Sequence, residues 1–224
     1  MAFTYRKALM PKDYRNRPGY TIREAGKAKS ITVHNTGNPN ATAANHAAFL
    51  SSAPRTASWH ITVDDKEAVM HIPLNEQAWH SGTTAGNTSS IGIEVCEFSD
   101  PARARAAENN AELLIAEMLT GKAPAGWDLN WRGLANVVTH KYWSGKICPR
   151  VILPHWDAFK ADIKKQMDAI MAPPPVVTPP AEVAYYEVRI HTSGPELPVY
   201  KSVAAAQQDF YKIIPSVKDA WKNW

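Results

Sequence analysis

The segment Ser90-Ile-Gly-Ile-Glu-Val-Cys96, followed closely by Asp100-Pro101, sets the fold class of this chain. A short apolar run rich in β-branched residues is typical of a buried strand. Aspartate followed by proline predicts a helix start, because aspartate caps the first turn and proline fits the first helical position. Apolar residues then keep to one face of the predicted helix as far as Gly121, a typical helix end. A buried strand that leads into an amphipathic helix indicates an α/β domain.

The same alternation of strands and helices continues on both sides of this segment. β-Branched runs and turn signals predict further strands at residues 30–35, 58–63, 68–72 and 136–140, of which 58–63 and 68–72 form a hairpin. Helical spacing of apolar residues predicts helices at 43–51 and 156–170. We therefore expect an α/β fold with a central mixed β-sheet flanked by helices.

A proline-rich run divides the chain into two predicted parts. Five prolines between Ala172 and Ala181 favour an extended, semi-rigid spacer. We predict a first domain at residues 1–171, a linker at 172–183 and a small C-terminal α+β module at 184–224. This module is rich in aromatic residues, which either stack on sugar rings or form a minimal core, and the sequence does not separate these two alternatives.

Composition and charge exclude few classes of function. The chain has 224 residues and a formal net charge of +4, and its basic residues are dispersed. This charge suits any polyanionic surface as well as nucleic acid, so charge alone does not identify a partner. The N-terminal residues lack the apolar core of a signal peptide, and no segment has the length of a transmembrane helix. We therefore expect synthesis in the cytoplasm and no membrane insertion.

A histidine and a cysteine lie together in His140-Lys-Tyr-Trp-Ser-Gly-Lys-Ile-Cys148. Imidazole and thiolate are preferred ligands of zinc, which takes four donors in a tetrahedron. His34 is the best candidate for a third ligand, because it ends a predicted strand, and strand ends project into the mouth of an α/β fold. The pair alone leaves a structural zinc site and a catalytic one both open. A lone His34 would favour an ordinary hydrogen-bonded strand histidine, but the His-Cys pair favours a role as ligand.

Four motifs occur in an order that resembles a known family. They are Val33-His34-Asn35-Thr36, Ala57-Ser58-Trp59-His60, Ile91-Gly92-Ile93-Glu94 and His140-Lys-Tyr-Trp-Ser-Gly-Lys-Ile-Cys148-Pro149. Together they resemble the zinc-dependent N-acetylmuramoyl-L-alanine amidases of the amidase-2 family, which share a fold with the peptidoglycan recognition proteins. The resemblance covers residues 22–159 and is closest to the amidases of Bacillus cells and their phages.

The resemblance implies a role for each residue that matches a family motif. His34, His140 and Cys148 are expected to bind Zn²⁺, and Glu94 to act as general base and acid. Lys146 is expected to stabilise the oxyanion, since an extended segment would direct its side chain to the same face as that of Cys148.

Three further residues are expected to contact substrate. Trp59 stands where some relatives have a catalytic-site tyrosine. An indole cannot transfer a proton at neutral pH as a phenol could, so we expect Trp59 to pack on a sugar ring. His80 lies in a loop that borders the substrate cleft in relatives, and substrate contact and loop structure are equally compatible with it. Asn87 belongs to a nearby matching motif. His60 is expected to be structural, because strand alternation directs it away from Trp59.

The implied activity is hydrolysis of the amide bond between N-acetylmuramic acid and L-alanine in bacterial peptidoglycan. Peptidoglycan is the expected partner of a monomeric protein that binds no nucleic acid. Without a signal peptide, the protein is expected to act as a phage endolysin, which is made in the host cytoplasm and reaches the cell wall after release. A bacterial autolysin exported by other means is the close alternative. The alternative is a recognition module that binds muropeptide without cutting it. A cysteine at position 148 favours the enzyme, because recognition receptors without catalysis typically lack it.

Overall fold

The computed structural model describes residues 3–19, 28–127, 129 and 133–172. These residues all fall within one compact unit, Met1–Pro174. The predicted linker beyond residue 172 and the predicted module at 184–224 lie outside the described residues.

The described residues contain a mixed sheet, as predicted, and this sheet has six strands. Its strands are β1 Thr4–Lys7, β2 Ser30–Asn35, β3 Ile61–Val63, β4 Glu67–Met70, β5 Ser90–Val95 and β6 Val137–Thr139. They lie side by side in the order β1-β4-β3-β5-β2-β6. The β3–β4 hairpin is antiparallel and the other neighbouring pairs are parallel.

Helices cover both faces of the sheet. They are α1 Ala43–Ser52, α2 Thr84–Ser89, α3 Pro101–Thr120, α4 His140–Ser144 and α5 Trp156–Met171, with 3₁₀ turns at Leu134–Asn136 and Leu153–His155. Helix α3 begins as predicted, since the Asp100 side chain accepts a hydrogen bond from the Ala102 N–H and Pro101 occupies the first turn. It ends at Gly121, whose positive φ of 73° is the left-handed conformation that glycine adopts without strain.

The two faces of the sheet differ in chemistry because side chains alternate along each strand. One face carries aliphatic residues such as Val33 and Ile93, which join residues of α3 and α5 in the main hydrophobic core. The opposite face carries polar residues such as Thr32, His34 and Glu94 on the same two strands. Helix α1 covers only part of this second face, so the polar strand residues near the ends of β2 and β5 remain available for a site.

Three elements were absent from the sequence prediction: β1, α2 and α4. Strand β1 is an edge strand with mostly exposed side chains, and α2 and α4 have only six and five residues. The prediction that His140 ends a strand was wrong, because the strand ends one residue earlier, at Thr139. Thr139 caps a short helix by accepting a hydrogen bond from the Tyr142 N–H, so His140 becomes the first residue of α4.

In the described part of the chain, no helix combines the length and the apolar character that a membrane span requires.

Candidate metal centre

Three buried side chains converge at one end of the polar face: His34, His140 and Cys148. Strand β6 pairs with β2, so the start of α4 places His140 beside His34. Cys148 returns to the same point because its carbonyl accepts a hydrogen bond from the Lys141 N–H. One nitrogen or sulfur atom from each of the three side chains lies within 4.8 Å of the others. Among the described residues, this is the one group of three such ligands that could share a metal ion.

The donor atoms of this group fit zinc. The 3.7 Å between Cys148 Sγ and His34 Nδ1 is close to the ~3.6 Å edge expected for a zinc tetrahedron with Zn–N near ~2.0 Å and Zn–S near ~2.3 Å. His140 Nδ1 is buried and has no hydrogen-bond partner, which a buried polar atom rarely tolerates without a ligand. The two imidazoles and the thiol therefore fit a zinc ion with a fourth position left for another ligand.

Burial sets the protonation of these three candidate ligands. It lowers the pKa of His34 well below its ordinary value and also lowers the pKa of His140, so both rings are neutral with a free lone pair. Burial raises the pKa of Cys148 to about 11, although a hydrogen bond from the Asn35 backbone lowers this pKa in part. A cation bound at this point would favour the thiolate, because metal-bound thiols are deprotonated.

Glu94 lies directly beside His34, since the two residues are partners in the β2–β5 register. Its Oε2 atom is buried and has no hydrogen-bond partner. Burial raises the pKa of Glu94 to about 8, although the ammonium group of Lys146 opposes this shift. A carboxyl group with such a pKa can accept and release a proton near neutral pH.

A cavity of about 220 Å³ opens over these residues. Lys146 and Cys148 both line this cavity, so their side chains reach the same space. The backbone between them is a tight turn and not the extended segment considered from the sequence, because the Cys148 N–H donates to the Lys146 carbonyl at 2.7 Å. The complete lining is His34, Asn35, Thr36, Gly37, Ala57, Trp59, His80, Glu94, His140, Lys146, Ile147, Cys148 and Arg150.

Trp59 lies on the wall of this cavity with its indole N–H already bonded. Nε1 donates to Thr62 Oγ1 at 2.6 Å, and Thr62 Oγ1 lies 2.8 Å from His71 Nε2. The orientation of the ring is therefore fixed. Its N–H is already used within the protein, so a ligand could contact only the face of the ring.

His80 and Asn87 both have hydrogen-bond partners within the protein. His80 is 8% exposed, its Nδ1 lies 3.0 Å from His34 Nε2, and it is one of the residues that line the cavity. The Asn87 side-chain oxygen accepts hydrogen bonds from the backbone N–H groups of His80 and Ser81, and Asn87 is not part of the cavity wall. Both residues support the loop that carries them.

His60 occupies the structural position that its alternation with Trp59 indicates. The Gly92 N–H donates to its Nδ1, and its Nε2 lies 2.9 Å from the Glu76 carbonyl, so both ring nitrogens are used inside the protein.

Sequence reasoning assigned no role to three polar residues of the cavity wall, Asn35, Thr36 and Arg150. Asn35 Oδ1 accepts from the Val151 N–H at 2.9 Å and so ties the end of β2 to the segment after Cys148. Arg150 forms an ion pair with Glu97 at the rim. The only signal for them in the sequence was their position, because each lies within two residues of a candidate metal ligand.

Comparison with known proteins agrees with this geometry. The family model described as N-acetylmuramoyl-L-alanine amidase matches residues 24–151. The chain is 48% identical over 159 residues to the N-acetylmuramoyl-L-alanine amidase XlyA of Bacillus subtilis. The matched segment covers 69% of this chain and 49% of XlyA. It is 40% identical over 161 residues to CwlH of the same organism, covering 70% of this chain and 59% of CwlH. The chain thus spans roughly half to three fifths of the length of these relatives.

Solved structures show the same fold. The structure of the catalytic domain of XlyA superposes with a TM-score of 0.62 at 45% identity, covering 71% of this chain and 98% of that domain. The structure of PlyL superposes with a TM-score of 0.60 at 34% identity, covering 73% of this chain and 97% of PlyL. With its ordered motifs, its mixed sheet and its family match over residues 24–151, this chain belongs to the amidase-2 family of N-acetylmuramoyl-L-alanine amidases.

Proposed function

We propose that this protein hydrolyses the amide bond between N-acetylmuramic acid and the L-alanine of the stem peptide in bacterial peptidoglycan. The observation that carries the proposal is the position of Glu94, a carboxyl group without a hydrogen-bond partner for Oε2, directly beside the three zinc ligands and within the same cavity. The names of XlyA and CwlH support the same reaction.

In this proposal His34, His140 and Cys148 hold the zinc. Zinc bound there would polarise the scissile carbonyl and lower the pKa of a water molecule on its open position. The three ligands lie on a strand end, a helix start and a turn, so the sheet and the turn fix their positions before any metal binds.

Glu94 is the proton carrier of the reaction. It takes a proton from the attacking water and returns it to the leaving nitrogen of L-alanine. Its raised pKa of about 8 makes the protonated state accessible, which favours this return step. Its Oε2 atom is buried and has no hydrogen-bond partner in the protein, while the residue itself is partly exposed and lines the cavity.

Lys146 supplies positive charge at the cavity wall. Burial is the largest influence on the pKa values of the site. The Lys146 ammonium group opposes this influence at Glu94 and Cys148 and adds to it at both histidine ligands, so its field reaches all four residues. We assign to it the stabilisation of the negative charge that develops on the carbonyl oxygen, a role worth about 2.7–4 kcal/mol in comparable donors. Trp59 offers its ring to the substrate on the same wall.

We also propose the setting of this reaction. Residues 1–171 form the catalytic domain, 172–183 the spacer and 184–224 a small module that we propose binds the wall or stabilises the domain. An endolysin role fits the proposed activity, and one structural relative is described as a mutant endolysin from Bacillus subtilis (TM-score 0.63, 47% identity).

The test is digestion of purified cell wall by the zinc-loaded protein. We expect new N-terminal alanine without new reducing sugar ends, because the bond cut is an amide and not a glycosidic bond. A protein that binds the wall but releases no N-terminal alanine would instead be a recognition module, and the enzyme proposal would be wrong.

A further inference from the structure

The ring of His80 is hydrogen-bonded on both sides within the protein. Its Nδ1 lies 3.0 Å from His34 Nε2, and its Nε2 lies 3.3 Å from the Ser90 carbonyl oxygen and 3.4 Å from Ser90 Oγ. The Ser90 hydroxyl donates its proton to the Gly86 carbonyl at 2.8 Å and a carbonyl oxygen only accepts, so His80 Nε2 carries the proton and Nδ1 is the acceptor. His34 Nε2 must then be the donor of the bond between the two rings. This leaves the lone pair of His34 on Nδ1, the atom that faces Cys148 Sγ.

The second histidine ligand is held by the neighbouring residue of the same loop. The Ser81 backbone raises the pKa of His140 against the larger lowering by burial, which is the effect of a nearby carbonyl acceptor, and His140 Nδ1 has no hydrogen-bond partner. His140 Nε2 lies beside this loop, since a β-carbon at Gly82 would be 3.6 Å from it, so the interaction with the Ser81 carbonyl is assigned to Nε2 as donor. His140 thus also presents a free Nδ1 lone pair. Two consecutive residues, His80 and Ser81, fix the two imidazole ligands in the same tautomer.

Asn87 fixes this pair of residues in turn. Its Oδ1 accepts from the His80 N–H at 3.0 Å, from the Ser81 N–H at 2.9 Å and from Ser81 Oγ at 2.9 Å. The His80 ring also packs directly on the backbone of Gly92, where a β-carbon would lie 2.6 Å from His80 Cγ. The loop therefore has little freedom to move away from the ligands.

From these contacts we propose that His80 and Ser81, braced by Asn87, are positioning residues that preset His34 and His140 for zinc. His80 does this through its side chain and Ser81 through its carbonyl. The role assigned to His80 and Asn87 is thus orientation of metal ligands and not contact with substrate. The proposal uses the zinc site of the proposed function, but it does not depend on wall cleavage.

The first experiment measures the tautomer of His34 in the metal-free wild-type protein by nitrogen NMR of the histidine rings. We expect a proton on Nε2 and none on Nδ1, as in the zinc-bound state. A proton on Nδ1, or an even mixture of the two tautomers, would overturn the proposal. This measurement requires no variant and therefore does not depend on the folding of one.

The second experiment compares zinc affinity in two His80 variants by competition with a chromophoric chelator. His80→Leu removes the acceptor for His34 Nε2 and should weaken zinc binding by about 10- to 100-fold. His80→Asn keeps an acceptor near the position of Nδ1 and should recover most of this loss. The matched control is His46→Leu, which removes another buried histidine that is not one of the ligands or their hydrogen-bond partners and should leave zinc affinity unchanged.

Asn87 gives an independent pair of variants. Asn87→Ala removes the three accepted hydrogen bonds and should weaken zinc binding, whereas Asn87→Asp keeps the acceptor oxygens and should restore it. Equal zinc affinity in wild type, His80→Leu and Asn87→Ala would refute the proposal. Loss of affinity in these variants together with absence of wall cleavage in the wild type would support the proposal and refute the proposed function, so the two are separately testable.

Discussion

Replacement of Glu94 by glutamine separates catalysis from stability. Glutamine has nearly the same shape but neither accepts a proton from water at neutral pH nor returns one. General acid–base catalysis contributes typically ~10²–10⁴-fold, which corresponds to about 2.7–5.5 kcal/mol of transition-state stabilisation. We therefore expect wall cleavage by Glu94→Gln to fall by about that factor. Zinc content should stay at the wild-type level, because Glu94 is not among the three ligands.

The same variant should be more stable than wild type in the metal-free state at alkaline pH. The folded carboxyl holds its proton up to about pH 8, whereas the unfolded one releases it near 4.5, so wild-type stability falls as pH rises through this window. At about 1.4 kcal/mol per pH unit, the loss between pH 5 and pH 8 is on the order of 3–4 kcal/mol. Glutamine does not titrate and should lack this part of the pH dependence.

The assays are release of N-terminal alanine, zinc stoichiometry and urea unfolding at both pH values. The matched control is Glu112→Gln on α3, which removes another buried carboxyl group whose pKa is raised to about 7 but which lies outside the cavity. This control should change the pH dependence of stability and leave cleavage intact. Cleavage by Glu94→Gln within about tenfold of wild type, with zinc bound, would refute the role of Glu94 as proton carrier.

Three other variants test the remaining parts of the site. Cys148→Ser replaces a thiolate by an un-ionised hydroxyl, so both zinc binding and wall cleavage should be lost. Mass spectrometry of the native protein measures the bound zinc, and full zinc occupancy would remove Cys148 from the ligand set. Lys146→Met should lower kcat by about 100- to 1000-fold with zinc content unchanged, and an unchanged kcat would place Lys146 outside the reaction. Trp59→Phe removes the N–H bond to Thr62 that orients the ring, so KM for soluble muropeptide should rise by roughly 2- to 10-fold, and an unchanged KM would mean that this ring does not contact substrate.

Much of the fold was accessible from the sequence because its main elements carry strong local signals. Helix α3 combines a capping aspartate, a proline and a terminal glycine with an apolar face, and all of these lie where the pattern predicts. Strand β2 was predicted with its observed bounds. By contrast β1 consists of Thr-Tyr-Arg-Lys with mostly exposed side chains, so hydrophobic periodicity carries no information about it. Its place in the sheet depends on pairing with β4, which is a tertiary contact.

The site divides in the same way. Ligand types and motif order were enough to select His34, His140, Cys148 and Glu94, which the structure brings together. The positions of His80 and Asn87 were not accessible, because they depend on a loop held by hydrogen bonds and on the close approach of the His80 ring to Gly92. No local pattern in Trp79-His80-Ser81-Gly82 distinguishes a ring that faces substrate from one that faces a metal ligand.

The most direct test of the central claim is hydrolysis of a defined muropeptide, N-acetylmuramoyl-L-alanyl peptide, in H₂¹⁸O followed by mass spectrometry. We expect one ¹⁸O atom in the lactyl carboxylate of the muramic acid product and an unlabelled peptide with free N-terminal alanine. Both products should be lost after zinc is removed by a chelator and should return when zinc is added back. No cleavage by the zinc-loaded protein, or cleavage that is unchanged after complete removal of the metal, would contradict it.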